Sequence, residues 1–312
     1  MSYGKDIGFL RSIWYRSKSS RSIPLGPISL FFRFGRTVHV SSNTRRRLAR
    51  SVSGLFRQAR TAASPPPSGA VDAPPAVAET AVVVGVGPGL GFALARTLCA
   101  AGMNLALASR NAERLDALIG ALPSGPEQLV RAYGCDATSE RDVHRLFSLV
   151  TAEMAPPHLV VYFVQSFSPG RTIDIEVPAF EHDWRVNCLG AFVVAREAAR
   201  SMAPLKRGTI VFGGSTSATI GRADHLNLAV GKFGVRALAQ VMSRELWLEG
   251  IHVVHVVIDA DISETDALDT ERPQSDPRHI ADQILCLHRQ PRSCWSSEID
   301  FRPFNERFWE HC

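Results

Sequence analysis

Residues 81–91 read Ala81-Val82-Val83-Val84-Gly85-Val86-Gly87-Pro88-Gly89-Leu90-Gly91. An apolar, β-branched run breaks into a glycine-rich turn. The turn opens onto Phe92-Ala93-Leu94-Ala95-Arg96, which are helix formers. Strand, glycine turn and helix together set a dinucleotide pyrophosphate on the free N–H groups of a helix N-terminus. Gly85, Gly89 and Gly91 fit G-x-x-x-G-x-G, with Gly87 as an extra. The tighter G-x-G-x-x-G spacing fails, because Leu90 stands where its third glycine would fall. One glycine takes the sharp turn, one admits a ligand to the backbone, and one lets helix and strand pack closely. An ordinary strand–helix loop is the competing reading.

The elements that must hold this turn follow from hydrophobic period. Strand patterns fall at 81–85, 104–109, 129–134, 159–165, 208–213 and 251–258. Helical patterns fall at 89–102, 111–121, 138–153, 178–203 and 225–249. A helix at 277–289 and a last strand within 295–301 complete the series. Alternation of this kind predicts right-handed crossovers and an α/β, Rossmann-like, doubly wound parallel sheet in a single domain over 78–312. The apolar runs 160–164 and 253–258 suit strands covered on both faces. Ligands of such sheets lie at the carboxyl ends of strands, which directs attention to the loops after 85, 109, 135, 165, 213 and 258.

Ser109-Arg110-Asn111 follows the second strand. An NAD site usually has a carboxylate on the adenosine ribose there. Serine followed by a cation suits a 2′-phosphate instead, and favours NADP over NAD. A solvated arginine at a helix start is the alternative. Asp136 follows the third strand, and either contacts the adenine amine or caps the helix from 138.

These pieces resemble the short-chain dehydrogenase/reductase family over about 80–305. The resemblance rests on the turn at 85–91, Asp136, and Val186-Asn187-Cys188-Leu189-Gly190. It rests also on Gly213-Gly214-Ser215 and Gly231-Lys232-Phe233. It implies catalytic roles for Asn187, Ser215 and Lys232, and cofactor contacts from Gly85, Gly87, Gly89, Leu90, Gly91, Ser109, Arg110, Asp136 and Lys232. In those roles serine polarises the substrate oxygen, and lysine holds the nicotinamide ribose and lowers a phenol's pKa. Asparagine holds the helix and a water that feeds protons in.

The family pattern also has a tyrosine four residues before the lysine. Leu228 stands there, and no tyrosine follows Tyr162. Leucine donates no proton. The family's Asn-Ala-Gly after the fourth strand is replaced by Phe163-Val164-Gln165, which is bulkier. His225 lies one turn before Leu228 and is a candidate proton donor. A solvent-facing helix-entry histidine is the plainer reading, and Tyr162 reads as core. Residues 259–276 are acidic. The resemblance makes them a lid, where Asp259, Asp261, Glu264 and Asp266 would disfavour anionic substrates. A solvated loop is at least as natural. Phe301, Phe304, Phe308 and Trp309 suggest a packed subunit contact.

The charge is divided along the chain. Residues 1–80 hold 13 of the 35 basic residues and 3 of the 30 acidic ones, leaving +10 there and −5 in the remainder. The basic pI therefore belongs to the N-terminal arm and gives the body no nucleic-acid character. Residues 1–77 read as a basic, Ser/Arg-rich extension ending in a Pro/Ala/Ser linker at 61–80. A short amphipathic helix at 43–60 fits within it. The extension is a transit peptide, a surface or polyanion-binding arm, or a functionless tail. The first reading would send the protein to an organelle matrix. Otherwise the cytoplasm is expected. No apolar stretch in the arm is long enough to span a bilayer. Six scattered cysteines without C-x-x-C fit a reducing compartment and no structural metal.

Two functions stay open. One is an NADP-dependent oxidoreductase with an atypical active site, moving hydride between NADP(H) and a small carbonyl or alcohol. The other is a catalytically silent dinucleotide-binding sensor or assembly subunit. The expected partners are a small-molecule substrate and further copies in a dimer or tetramer, with no nucleic acid and no stable membrane insertion.

Overall fold

The computed structural model describes residues 78–262 and 273–307. Residues 1–77, with the helix expected at 43–60, lie outside the described residues, as do Glu264, Asp266, Phe308 and Trp309. The chain runs through β1 (Thr80–Val84), α1 (Leu90–Ala100), β2 (Asn104–Ser109), α2 (Glu113–Ile119) and β3 (Val130–Gly134). It continues through α3 (Glu140–Glu153), β4 (Leu159–Tyr162), α4 (Val177–Trp184), a π-helical turn (Arg185–Leu189) and α5 (Gly190–Met202). Then come β5 (Gly208–Ser215), α6 (Leu226–Leu246), β6 (Ile251–Ile258), β7 (Asp261–Ile262), β8 (Gln274–Ser275), α7 (Pro277–His288) and β9 (Glu298–Phe301).

Seven strands form one parallel sheet in the order β3-β2-β1-β4-β5-β6-β9. The order reverses between β1 and β4, which makes that gap the place for a ligand. Alternation along each strand divides the core. Val82, Val84, Ala106 and Ala108 face α3, α5 and α6 through Leu146, Ala191 and Val235. Ala81, Val83, Leu105 and Leu107 face α1, α2 and α7 through Leu98, Leu115 and Ile284. Both sheet faces are thus dry, as the unbroken apolar strands require. Among the described residues no helix is long and apolar enough to cross a membrane. Cys99, Cys135, Cys188, Cys286 and Cys294 are free thiols.

Most elements shift by one to three residues at their ends, and two of the boundaries that differ have local reasons. α3 starts at Glu140, because Ser139 caps it through the Asp142 N–H. Asp136 is released from that role and instead accepts from the Thr138 N–H at 2.9 Å and the Thr138 hydroxyl at 2.8 Å. β4 ends at Tyr162, short of 165.

The larger difference lies at 178–203, where the single expected helix is broken by the π turn. The Gly190 N–H reaches back to the Arg185 carbonyl, five residues away. Tyr162, buried at the end of β4, donates its hydroxyl to the Val186 carbonyl at 2.5 Å. Burial pushes that phenol far above its ordinary pKa, so it remains a donor. A Cβ on Gly190 would stand 2.5 Å from the Tyr162 hydroxyl, so glycine is needed where the helix resumes. Tyr162→Phe should lower stability by about 1–2 kcal/mol in a urea melt, the cost of a buried carbonyl losing a partner. A change below a few tenths would show that the turn holds without it.

Candidate functional site

A cleft opens at the β1/β4 reversal and has two lobes. The first, about 450 Å³, is lined by Ser109, Arg110, Asp136 and Thr138 together with His182 and Arg185. The second, about 370 Å³, is lined by Gly89, Leu90, Gly91, Ser215 and Lys232, among others. Gly85, Gly87, Phe163 and Gln165 border both. The structure therefore brings the glycine turn, Ser109, Arg110, Asp136, Ser215 and Lys232 into one continuous groove.

Gly85 takes φ 96°, and a Cβ there would stand 2.7 Å from the Val164 N and 2.8 Å from the Phe163 carbonyl carbon. Its missing side chain lets β1 and the loop after β4 meet. A Cβ on Gly91 would stand 2.9 Å from the Val86 Cα, so that glycine closes the turn against its own helix. Gly87 and Gly89 are different, because a Cβ on either would meet nothing within 4 Å. Phe163 fills the space above Gly213, where a Cβ would collide with its ring. The bulk that replaces the family's small residues is thus partly absorbed by a glycine on the neighbouring strand.

The first lobe is rich in donors and cations. Arg110 and Arg185 stand on its rim, and Asp136 is the sole carboxylate among its lining residues. Ser109 does not end β2 as a carboxylate would; its hydroxyl donates to the Asn111 carbonyl at 2.8 Å.

Lys232 dominates the second lobe. It is 3% exposed, and its Nζ donates to the Gly213 carbonyl at 3.0 Å. Burial pushes its pKa down to about 8, because an ammonium loses hydration there. The Ser215 hydroxyl is buried without a hydrogen-bond partner among the described residues. Leu228, one turn before Lys232, is buried and brings no donor.

Asn187 and His225 stand apart from the cleft lining. The Asn187 side chain donates to the Ser166 carbonyl at 2.7 Å and accepts from the Ser166 N–H at 3.1 Å. It ties the π turn to the loop after β4. Gly231 lets α6 pass within reach of it, since a Cβ there would stand 2.5 Å from the Asn187 Cβ. His225 precedes α6, with Nδ1 2.8 Å from the Ala223 carbonyl and its ring packed on Phe167 at 4.9 Å. Asp259 is paired, accepting from the Thr216 hydroxyl and from Arg302. It is therefore a neutralised carboxylate rather than a free charge of a lid.

The sequence reading missed Asp183. This fully buried carboxylate accepts from the Ser166 hydroxyl at 2.6 Å, the Ser168 N–H at 2.9 Å and the Asn227 amide at 3.1 Å. Burial alone would raise its pKa, but these hydrogen bonds together hold it below the usual range. It joins α4, the loop after β4 and the start of α6. Sequence offered one signal, an acid in a helix four residues before Asn187.

Known proteins share this plan. The short chain dehydrogenase family description matches residues 79–275. The 3-oxoacyl-[acyl-carrier-protein] reductase MabA of Mycobacterium bovis is 31% identical over 173 residues. That match covers 55% of this chain and 65% of the relative's length. A short-chain dehydrogenase structure from Rhodopseudomonas palustris superposes with a TM-score of 0.64 at 29% identity, over 72% of this chain and 99% of that one. An alcohol dehydrogenase structure from the archaeon Thermococcus sibiricus gives 0.65 at 21% identity, covering 73% and 98%; it shares the fold.

Proposed function

The chain belongs to the short chain dehydrogenase family, and from that premise we propose that it is an NADP(H)-dependent oxidoreductase acting on a small carbonyl or alcohol, with Lys232 as its proton donor. The continuous two-lobed groove carries this reading. The α1 N-terminus and the open space at Gly87 and Gly89 suit a pyrophosphate. Arg110 beside Ser109 suits a 2′-phosphate, since a hydroxyl and a cation stand at the end of β2 where a carboxylate would repel it. The unpartnered Ser215 hydroxyl suits a substrate oxygen.

A dinucleotide held in this groove would supply or accept the hydride. Ser215 donates to the carbonyl oxygen and stabilises the charge that builds there. Lys232, whose pKa of about 8 lies close to neutrality, gives an Nζ proton to that oxygen and is recharged from solvent. Asp183 and Asn187 hold the loop after β4 and the π turn in place. Exposed Phe192 on α5, with Val230, Phe233 and Val241 on α6, supports the homo-oligomer.

Leu228 favours the second reading, a dinucleotide-binding protein without turnover. Calorimetric titration decides first. NADPH should bind at least about tenfold tighter than NADH, the worth of one charge-assisted contact, and Arg110→Glu should reverse the order. Binding without turnover across a carbonyl and alcohol panel would select the silent protein. No binding of either dinucleotide would sink both.

A further inference from the structure

His255 interrupts the apolar run of β6 and is 1% exposed. Its Nδ1 lies 3.0 Å from Glu298 Oε2 on β9. Glu298 in turn accepts two hydrogen bonds from the Arg236 guanidinium on α6, at 2.7 and 2.6 Å. The chain Arg236–Glu298–His255 thus bridges three elements beneath the second lobe. A carboxylate only accepts, so Nδ1 carries the imidazole proton and Nε2 presents a lone pair. That Nε2 is buried and has no hydrogen-bond partner among the described residues.

Its position is informative. Phe212 of β5 pairs with His255, so Gly214, two residues on, shares its face of the sheet. A Cβ on Gly214 would collide with Nε2. Gly214 sits between Gly213, whose carbonyl holds Lys232, and Ser215. α6 closes this face and carries both Lys232 and Arg236. Imidazole and ammonium therefore share one buried layer. An ammonium has three N–H donors, and Gly213 takes one.

We propose that His255 is a positioning residue for Lys232: fixed in one tautomer by Glu298 and Arg236, its Nε2 accepts from a second Nζ–H through one water and keeps the lysine protonated. The proposal rests on the reading that Lys232 works in the cleft. It gives this site a proton-holding partner of its own where the phenol is missing. The charged groups facing His255 are Glu298 from β9, with Lys232 and Arg236 from α6. Burial, with the two cations, outweighs Glu298 and holds the imidazole below its ordinary pKa. Its lone pair is then available wherever Lys232 titrates.

The test follows NADPH binding by nucleotide fluorescence against pH. Wild-type binding should fall on the alkaline side with a midpoint near 8 as Lys232 loses its proton. Lys232→Ala should abolish that limb. His255→Phe, which keeps a ring but no acceptor, should move the midpoint down by about one pH unit. His255→Gln, with an amide oxygen near the Nε2 position, should restore most of the shift. A limb that persists in Lys232→Ala overturns the lysine reading and this proposal with it. A limb lost in Lys232→Ala but unmoved in His255→Phe overturns His255 alone. Should His255→Phe not fold, the imidazole ¹⁵N shifts of the unliganded wild type decide. Protonated Nδ1 with bare Nε2 is expected, and a proton on Nε2 would refute the proposal.

Discussion

Lys232→Met will unfold at a higher temperature than the wild type and will lose its activity. The two side chains have similar length, and methionine fills a dry slot without a charge. Lys232 is 3% exposed with one hydrogen bond, to Gly213. Its pKa is pushed down to about 8 from an ordinary 10.5 by burial. The unfolded chain therefore holds that proton more tightly than the folded one. The resulting penalty is full below pH 8 and disappears as pH rises toward 10.5. At pH 7 it amounts to about 3 kcal/mol. The variant should gain about 2–3 kcal/mol there, or roughly 5–10 °C in Tm, and the gain should shrink at pH 9.5. Turnover should fall by about 10²-fold or more, as removal of a general acid does. Paired urea melts at the two pH values check the first half. A variant less stable than wild type at pH 7 would mean that the ammonium is held by more than burial allows.

A charge that burdens the fold is retained where chemistry needs it, and the same tension separates what was legible in sequence from what was not. β2 and β6 were legible to the residue, because a strand covered on both faces is largely apolar. The glycine turn was legible because strand, turn and helix adjoin in the chain. The π turn at 185–189 was not, since its partners, Tyr162 and Ser166, come from another segment. A 3.6-residue period runs through it without a break. Asp183 and the Arg236–Glu298–His255 chain were hidden for the same reason. In sequence, His255 is only a polar letter in an apolar run. That anomaly was the one available signal, for a histidine inside a doubly covered strand must find partners or cost stability.

The loss of the tyrosine also changes meaning once the fold is known. Leu228 is buried, while Lys232 and Ser215 line the second lobe and Asn187 braces the π turn. The features that cost stability, a buried ammonium and an unpartnered hydroxyl, persist without the phenol. A relic retained for its fold alone would gain by losing both, which is why turnover is the stronger expectation than silence.

The glycine turn separates ligand binding from folding, and two substitutions two residues apart should show it. Gly85→Ala meets the Phe163–Val164 peptide, at 2.8 and 2.7 Å, and forces an L-residue to φ 96°. Left-handed backbone costs roughly 1–2 kcal/mol and a clash with fixed neighbours about 1–3 more. A loss of about 3 kcal/mol, or about 10 °C in Tm, is expected. Gly87→Ala places its methyl in open space within the groove, so its stability should stay within about 0.5 kcal/mol of wild type. Its NADPH affinity should nonetheless fall by about tenfold or more, because the methyl stands where the pyrophosphate must approach the backbone. Thermal melts and NADPH titrations of both variants measure the two effects separately. If Gly87→Ala binds NADPH as wild type does, the turn is a strand–helix loop and nothing more. The groove would then need another ligand to account for Arg110, Ser215 and Lys232 along its walls.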